Sequence, residues 1–191
     1  SKYIKPFKES INMGVGSIMV SYNSWKGQKL HGHKYLINDV LKKELGFDGI
    51  VVSDWAGINE LDKDYKTCII QSINAGIDMN MVPGSLNPDD NSYDDFIRLA
   101  IESVEEGSIP MERIDDAVSR ILRIKKKIGL FDNPIKKPKN TDVVGSKKHR
   151  ELARKSVRKS LVLLKNENQI LPLQKNNSKI TLVGEHADNI G

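Results

Sequence analysis

The sequence predicts an α/β fold built from successive βα units, either an α/β barrel or a doubly wound sheet. Three short apolar runs, each bounded by Gly, Pro or Asn, are separated by segments with helical periodicity. Continuous apolar character fits strands that are buried on both faces, as in a parallel sheet. The runs recur at intervals of about 30 residues, which is typical of right-handed βα connections.

The predicted elements alternate along the first part of the chain. Strands are predicted over residues 17–22, 49–53 and 78–82. A helix over residues 33–45 has one apolar face and ends before Gly46, and a second helix over residues 65–74 ends before Gly76. These elements together predict two complete βα units followed by a third strand.

The remaining elements predict a boundary and a second structural unit. Helices are predicted over residues 93–106 and 114–128. Residues 132–139 contain two prolines, many charges and no apolar period, which is typical of a linker between domains. A helix over residues 147–160 and a strand over residues 180–184 are then predicted to begin a second domain.

Composition and charge exclude several classes of protein. No apolar run approaches the roughly 20 residues of a membrane helix. Cys68 is the only cysteine, so an intrachain disulfide and a Cys-rich metal site are excluded. The net charge of +5 raises the possibility of nucleic-acid binding. However, the basic residues fall in segments that are better explained as solvated helix faces and a linker, so we expect no nucleic-acid and no membrane partner.

Polar and aromatic residues follow the predicted strands at the edge where an α/β barrel gathers its reactive groups. The first strand ends at Tyr22, the second is followed directly by Asp54 and Trp55, and the third presents Met81 near its end. An ionised carboxylate after a buried strand is costly unless hydrogen bonds or a function compensate. A carboxylate beside an indole suits sugars, because the carboxylate can attack an anomeric centre while the ring covers the apolar face of a pyranose.

Structural interpretations of the same residues stay open at this point. Asp54 could cap a following helix, since Asp is favoured at that position. Tyr22 and Met81 could be packed core side chains. The pair His31 and His33 could suggest a metal, but one His-x-His without further ligands favours a loop that leads into the next helix.

Several motifs resemble family 3 glycoside hydrolases, in order and over essentially the whole chain. The most specific is Leu45-Gly-Phe-Asp-Gly-Ile-Val-Val-Ser-Asp-Trp55. The other motifs are Ile18-Met-Val-Ser-Tyr-Asn-Ser-Trp-Lys-Gly27, Ala75-Gly-Ile-Asp-Met-Asn-Met-Val-Pro83, Ser160-Leu-Val-Leu-Leu-Lys-Asn166 and Leu171-Pro-Leu173. Within the family, Ile109-Pro-Met-Glu-Arg-Ile-Asp-Asp-Ala-Val118 and Gly184-Glu-His-Ala-Asp-Asn189 are similar to plant-type β-glucosidases and exo-β-glucanases.

The resemblance implies a fold and a domain division. Residues 1–130 would be the C-terminal part of a (β/α)8-type catalytic barrel, and residues 131–146 would be the interdomain linker. Residues 147–191 would begin an α/β sandwich domain. The missing remainder of the same two-domain enzyme would then be the protein partner of this chain.

The resemblance also implies a reaction and the residues that perform it. Asp54 matches the nucleophile of retaining hydrolysis of terminal β-D-glucosyl residues, which forms a covalent glycosyl-enzyme and requires a second carboxyl group about 5 Å away. Tyr22, Trp55 and Met81 match positions that contact the β-glucoside or β-glucan substrate. No cofactor or metal is implied, and the expected location is extracellular or in the cell wall.

The expected acid/base glutamate has no counterpart in this chain. Glu60, Glu102 and Glu185 do not match its position, so the chain alone is expected to be inactive. The alternatives are a truncated, non-catalytic carbohydrate-binding fragment or another family 3 specificity, such as β-xylosidase. An N-acetylhexosaminidase is disfavoured because that branch usually has an acidic or small residue where Trp55 stands.

Overall fold

The computed structural model describes residues 2–84, 91–134, 141–176 and 179–189, and the chain divides into two units, residues 1–136 and 137–191. Helix α1 (Lys5–Asn12) opens the first unit. Strand β1 (Ser17–Met19) is followed by the short antiparallel hairpin of β2 (Ser24–Trp25) and β3 (Gln28–Lys29). The predicted linker over residues 131–146 includes residues 135–140, which lie outside the described residues, so this division stays a prediction.

A parallel pair of strands positions the site. β1 pairs with β4 (Ile50–Val52) in the register Ser17↔Ile50, Ile18↔Val51 and Met19↔Val52. The parallel arrangement predicted from the apolar runs is confirmed for these two strands. Because β1 and β4 run in the same direction, the residues that follow them emerge at one edge of the sheet.

The helices of the first unit follow the predicted order. A π-helix (Tyr35–Glu44) connects β3 to β4, and α2 (Tyr65–Ala75), α3 (Tyr93–Glu105) and α4 (Met111–Lys127) follow β4. Asp64 caps α2 by accepting the Thr67 N–H at 2.8 Å. Gly76 ends that helix with φ +112°, a left-handed conformation that glycine adopts without strain.

The core of the first unit lies between the parallel strands and α2. Its fully buried members include Phe47, Val51, Ile69 and Ile77. Burial of each such side chain stabilises the fold by about 1.5–3 kcal/mol. Helices α3 and α4 extend this core through Ile109, which is completely buried in the turn between them.

Two predicted elements of the first unit differ from the structure. The helix predicted over residues 33–45 forms with i→i+5 bonds, as in the Leu45 N–H to Val40 carbonyl bond of 2.9 Å. The predicted strand 78–82 reduces to a parallel bridge between Val52 and Met79. The ladder stops there because the next N–H, that of Met81, donates to a side chain.

The second unit contains one α-helix and three short 3-10 turns in its described residues. Helix α5 (Lys147–Ser160) confirms the helix predicted there. The strand predicted over residues 180–184 is wrong, because these residues form no ladder and their apolar side chains, such as Leu182 and Val183, are exposed. A β-strand needs a hydrogen-bonded neighbour, and the described residues of this unit include no other strand. None of the helices in the described ranges is long and apolar enough to cross a bilayer.

Candidate functional site

Ser53 fixes the loop that follows β4 to the adjacent segment of the chain, which contains Met79 and Met81. The Ser53 N–H donates to the Met79 carbonyl at 2.9 Å, which continues the parallel bridge. The completely buried Ser53 hydroxyl accepts the Met81 N–H at 2.7 Å and donates to the Asp54 carbonyl at 2.9 Å. The Ser53 hydroxyl therefore joins Met81, at the end of the interrupted third strand, to Asp54.

Asp54 is held through its backbone and is half-buried. Its N–H donates to His31 Nε2 at 3.0 Å, and its carbonyl accepts the Ser53 hydroxyl and the Gly57 N–H, the latter at 3.1 Å. The Oδ1 atom accepts the Trp55 N–H at 2.7 Å. Because each backbone polar group of Asp54 has a partner, the direction in which its side chain leaves the loop is well defined.

Tyr22 lies against the same loop. Its hydroxyl donates to the Trp55 carbonyl, and its ring centroid is 5.8 Å from that of His31. Burial raises the pKa of Tyr22, and the negative charges of Asp54 and Glu60 raise it further. The hydroxyl therefore stays protonated at neutral pH and is able to donate this bond.

Met81 and Trp55 complete the group. The Met81 carbonyl accepts the Ala56 N–H at 3.0 Å, and its N–H donates to the Ser53 hydroxyl. The Met81 backbone therefore bonds to residues before and after Asp54. Trp55 is 61% exposed and Tyr22 is 41% exposed. The structure thus brings the four residues predicted from sequence to one edge of the sheet and leaves two aromatic surfaces open there.

Two structural interpretations of these residues are resolved by the geometry. Asp54 does not cap α2, because Asp64 does so, and the 3-10 turn that follows Asp54 has Ala56 at its N-cap position. One nitrogen of each histidine is occupied, since His31 Nε2 accepts the Asp54 N–H at 3.0 Å and His33 Nδ1 accepts the Leu36 N–H at 3.4 Å. In the part of the chain that the structure describes, no three His, Cys, Asp or Glu side chains group as metal ligands.

An open apolar groove lies against β1. Its volume is about 440 Å³, and residues from α1, β1 and the π-helix line it, among them Phe7, Ile18 and Val40. Asp54 does not line this groove, and neither does any other carboxylate of the described residues. The groove therefore offers apolar contact but no acid, base or carboxylate nucleophile.

Sequence reasoning misses two residues of the site. It identifies Ser53 only as a neighbour of Asp54, and His31 only as part of a doubtful metal pair. Their roles depend on contacts between segments 23 and 28 residues apart, which periodicity does not reveal. The only sequence signal is a hydroxyl at the carboxyl end of a buried run, where an unpaired polar group would be costly.

A comparison with protein-family models decides the family. Residues 1–124 match the model described as the glycosyl hydrolase family 3 N terminal domain. The chain belongs to glycosyl hydrolase family 3. The resemblance inferred from its motifs is thereby confirmed, as is the α/β class of its fold.

Curated family 3 relatives match nearly the whole chain. It is 37% identical to a lysosomal beta glucosidase of Dictyostelium discoideum, with 98% of this chain and 23% of the relative covered. It is 36% identical to a periplasmic beta-glucosidase of Salmonella typhimurium, with 98% and 24% covered. A beta-xylosidase of Formosa agariphila is 34% identical, with 97% and 26% covered. The chain therefore spans about a quarter of the length of these relatives.

A solved family 3 structure has a similar backbone. The exo-1,3/1,4-beta-glucanase of a Pseudoalteromonas species superposes with a TM-score of 0.66 at 43% sequence identity, covering 86% of this chain and 20% of the glucanase. The relatives are thus named for hydrolysis of glycosides, with glucosides and glucans prominent among the substrates in their names.

Proposed function

We propose that this chain supplies the nucleophile of a retaining β-glucosidase or exo-β-glucanase, and that Asp54 is that nucleophile. The observation that supports this most directly is the Asp54 loop itself. Its backbone is fixed by His31, Ser53 and Gly57. Two partly exposed aromatic residues lie beside it, since Trp55 is the next residue and Tyr22 bonds to the Trp55 carbonyl. A fixed carboxylate beside open aromatic faces suits attack on the anomeric carbon of a pyranose.

The proposed reaction has two steps. In the first, an Asp54 oxygen bonds to C1, the bond between C1 and the glycosidic oxygen breaks, and a carboxylic acid protonates the leaving oxygen. In the second, that group, now a carboxylate, removes a proton from water, the water oxygen bonds to C1, and Asp54 leaves as a carboxylate. Two inversions give net retention, and no cofactor is needed.

The aromatic side chains would position the sugar. Trp55 exposes an indole face that can cover the apolar C–H face of the sugar next to the reacting one. Tyr22, held through the Trp55 carbonyl, would line the subsite of the terminal glucose, and Met81 would contact the same pocket. These roles rest on the match to the family motifs and on the proximity of the three residues to Asp54.

The wider context of the site is also a proposal. We assign residues 1–130 to the C-terminal part of a (β/α)8-type barrel, residues 131–146 to a linker and residues 147–191 to the start of an α/β sandwich. The rest of the two-domain enzyme would complete the site, and a β-glucoside or β-glucan would be the substrate. The lysosomal and periplasmic names of relatives support a location outside the cytosol, for which we propose the cell wall or the extracellular space.

Trapping of the glycosyl-enzyme tests the proposal. A 2-deoxy-2-fluoro glucoside with a good leaving group should label the complete natural protein once per site. Fluorine slows both steps and the good leaving group restores the first, so the glycosyl-enzyme should accumulate and peptide mapping should place the label on Asp54. A label on any other side chain would overturn the assignment. The matching fluoroxyloside tests the second candidate, a β-xylosidase, and it should label more slowly.

We further propose that the 191-residue polypeptide alone has negligible turnover. Besides Asp54, Glu60 is the acidic residue whose charge acts on both Tyr22 and His31, but it is already paired with Lys29 and does not match the motif position of the acid/base glutamate. Hydrolysis of an aryl β-glucoside should be slower than in the complete protein by at least about a hundredfold. Equal rates in the two proteins would contradict this expectation.

A further inference from the structure

We propose that His31 is a positioning residue for Asp54, acting through the hydrogen bond from the Asp54 N–H to His31 Nε2. The proposal rests on the proposed function, since it concerns the placement of the Asp54 nucleophile. It adds a side chain that the sequence motifs did not single out. His31 comes from the segment after the β2–β3 hairpin and reaches the loop after β4, 23 residues later in the chain.

The segment that carries His31 is itself fixed. His31 lies in a 3-10 turn (Leu30–Gly32), in which the Leu30 N–H donates to the Asn23 carbonyl at 3.0 Å and the His33 N–H donates to the Leu30 carbonyl at 3.0 Å. The side chain of His31 is 1% exposed. Because the imidazole is buried and its segment is fixed by backbone hydrogen bonds, it gives the Asp54 N–H an acceptor with which water does not compete.

The bond defines the protonation state of the ring. Because Nε2 accepts, the neutral ring carries its proton on Nδ1. Burial lowers the pKa of His31, an effect that Asp54 and Glu60 oppose and Lys29 reinforces. At neutral pH the ring is therefore uncharged, and the Nε2 lone pair is available to the Asp54 N–H.

Close packing keeps the ring in place. A Cβ atom at Gly57 would lie 2.4 Å from both Cε1 and Nε2 of His31, so only glycine lets the loop approach the imidazole this closely. Tyr22 covers the ring from another side with a centroid distance of 5.8 Å. The imidazole thus contacts the residue proposed as nucleophile, the turn that follows it and an aromatic side chain of the same site.

A merely space-filling role predicts a different outcome from a positioning role. If His31 only fills the core, any side chain of similar length should serve equally well. If it positions Asp54, the acceptor atom matters, because displacement of a reacting group by about 1 Å can cost on the order of a hundredfold in rate. His31→Gln keeps an acceptor near the Nε2 position, whereas His31→Met has a similar length and no comparable acceptor.

The experiment compares these two variants in the complete natural protein. Time-dependent labelling by the 2-deoxy-2-fluoro glucoside gives a binding constant and a rate constant for bond formation at Asp54. His31→Met should lower the rate constant by about 10- to 100-fold with little change in binding, and His31→Gln should retain most of it. Equal rate constants for the Met variant and the wild type, or equal losses in Gln and Met variants of equal thermal stability, would overturn the proposal.

Two further measurements keep the test decisive if His31→Met does not fold. Gly57→Ala leaves His31 in place but puts a methyl group against its ring, so labelling should slow; an unchanged rate would contradict the proposal. In ¹⁵N-histidine spectra of the wild type, His31 Nε2 should be unprotonated, and a proton found there would overturn the proposal outright. A label found elsewhere than Asp54 would instead refute the proposed function.

Discussion

Replacement of Asp54 by Asn in the complete natural protein is expected to lower kcat/KM for an aryl β-glucoside by at least about 10⁴-fold, a loss of the size seen when a catalytic nucleophile is removed. An amide oxygen is a poor nucleophile, and an amide cannot leave C1 as a carboxylate does. The fold should tolerate the change, because the Asn oxygen can still accept the Trp55 N–H. Steady-state kinetics and thermal unfolding of the purified variant measure the two effects.

Asp62→Asn provides a matched control for this substitution. Asp62 Oδ1 also accepts a nearby backbone N–H, that of Asp64 at 3.0 Å, and the chemical change is identical. Its kcat/KM should stay close to that of the wild type.

In Asp54→Gly, added azide should restore cleavage and give the α-glucosyl azide, since an external anion then attacks C1 in a single inversion. Wild-type kcat/KM in Asp54→Asn would rule out Asp54 as nucleophile.

The parts of the fold that follow from local pattern were predictable. The apolar run ending at Val52 is a strand, and helix α2 ends at Gly76 as its C-terminal signal predicts. Asp54 could be singled out because a carboxylate directly after a buried strand requires an explanation. Its assignment as the nucleophile still came from the family motif, since spacing alone also allowed a helix cap.

The parts that depend on contacts between distant segments were not predictable. The i→i+5 bonding of the helix Tyr35–Glu44 and the loss of the strand expected over residues 180–184 both depend on neighbours that periodicity does not specify. The hydrogen bond from Asp54 to His31 is of the same kind. Asp78 is another residue whose partners come from distant segments, and a buried carboxylate requires such partners.

Asp78 has such partners, and its replacement by Asn is expected to destabilise the first unit by about 3–5 kcal/mol. Its side chain is 0% exposed and accepts the Lys42 ammonium at 2.7 Å, the Arg113 guanidinium and the Val51 N–H at 2.9 Å. Burial lowers the pKa of Lys42, and the Asp78 carboxylate opposes that shift. Without this carboxylate, two largely buried cations would be left facing a neutral amide.

The neighbouring acid cannot compensate for that loss. Asp116 also contacts Lys42, at 3.5 Å, but it already pairs with Arg113 and Arg120 and is 43% exposed. The charge of its carboxylate is therefore partly screened by water, and the cluster of three cations would retain a single anion. The Asn oxygen can still accept the Val51 N–H, so the expected loss comes from the missing charge opposite Lys42 and Arg113.

Asp39→Asn separates this effect from a general cost of removing carboxylates. Asp39 pairs with Lys43 at 2.8 Å on the same π-helix that carries Lys42, but both side chains are exposed. Its replacement should cost no more than about 0.5 kcal/mol. Thermal unfolding of the complete natural protein should show a midpoint lowered by about a few degrees for Asp78→Asn and almost unchanged for Asp39→Asn. Equal midpoints would mean that water reaches the Asp78 cluster, because only solvation could replace the missing carboxylate so completely.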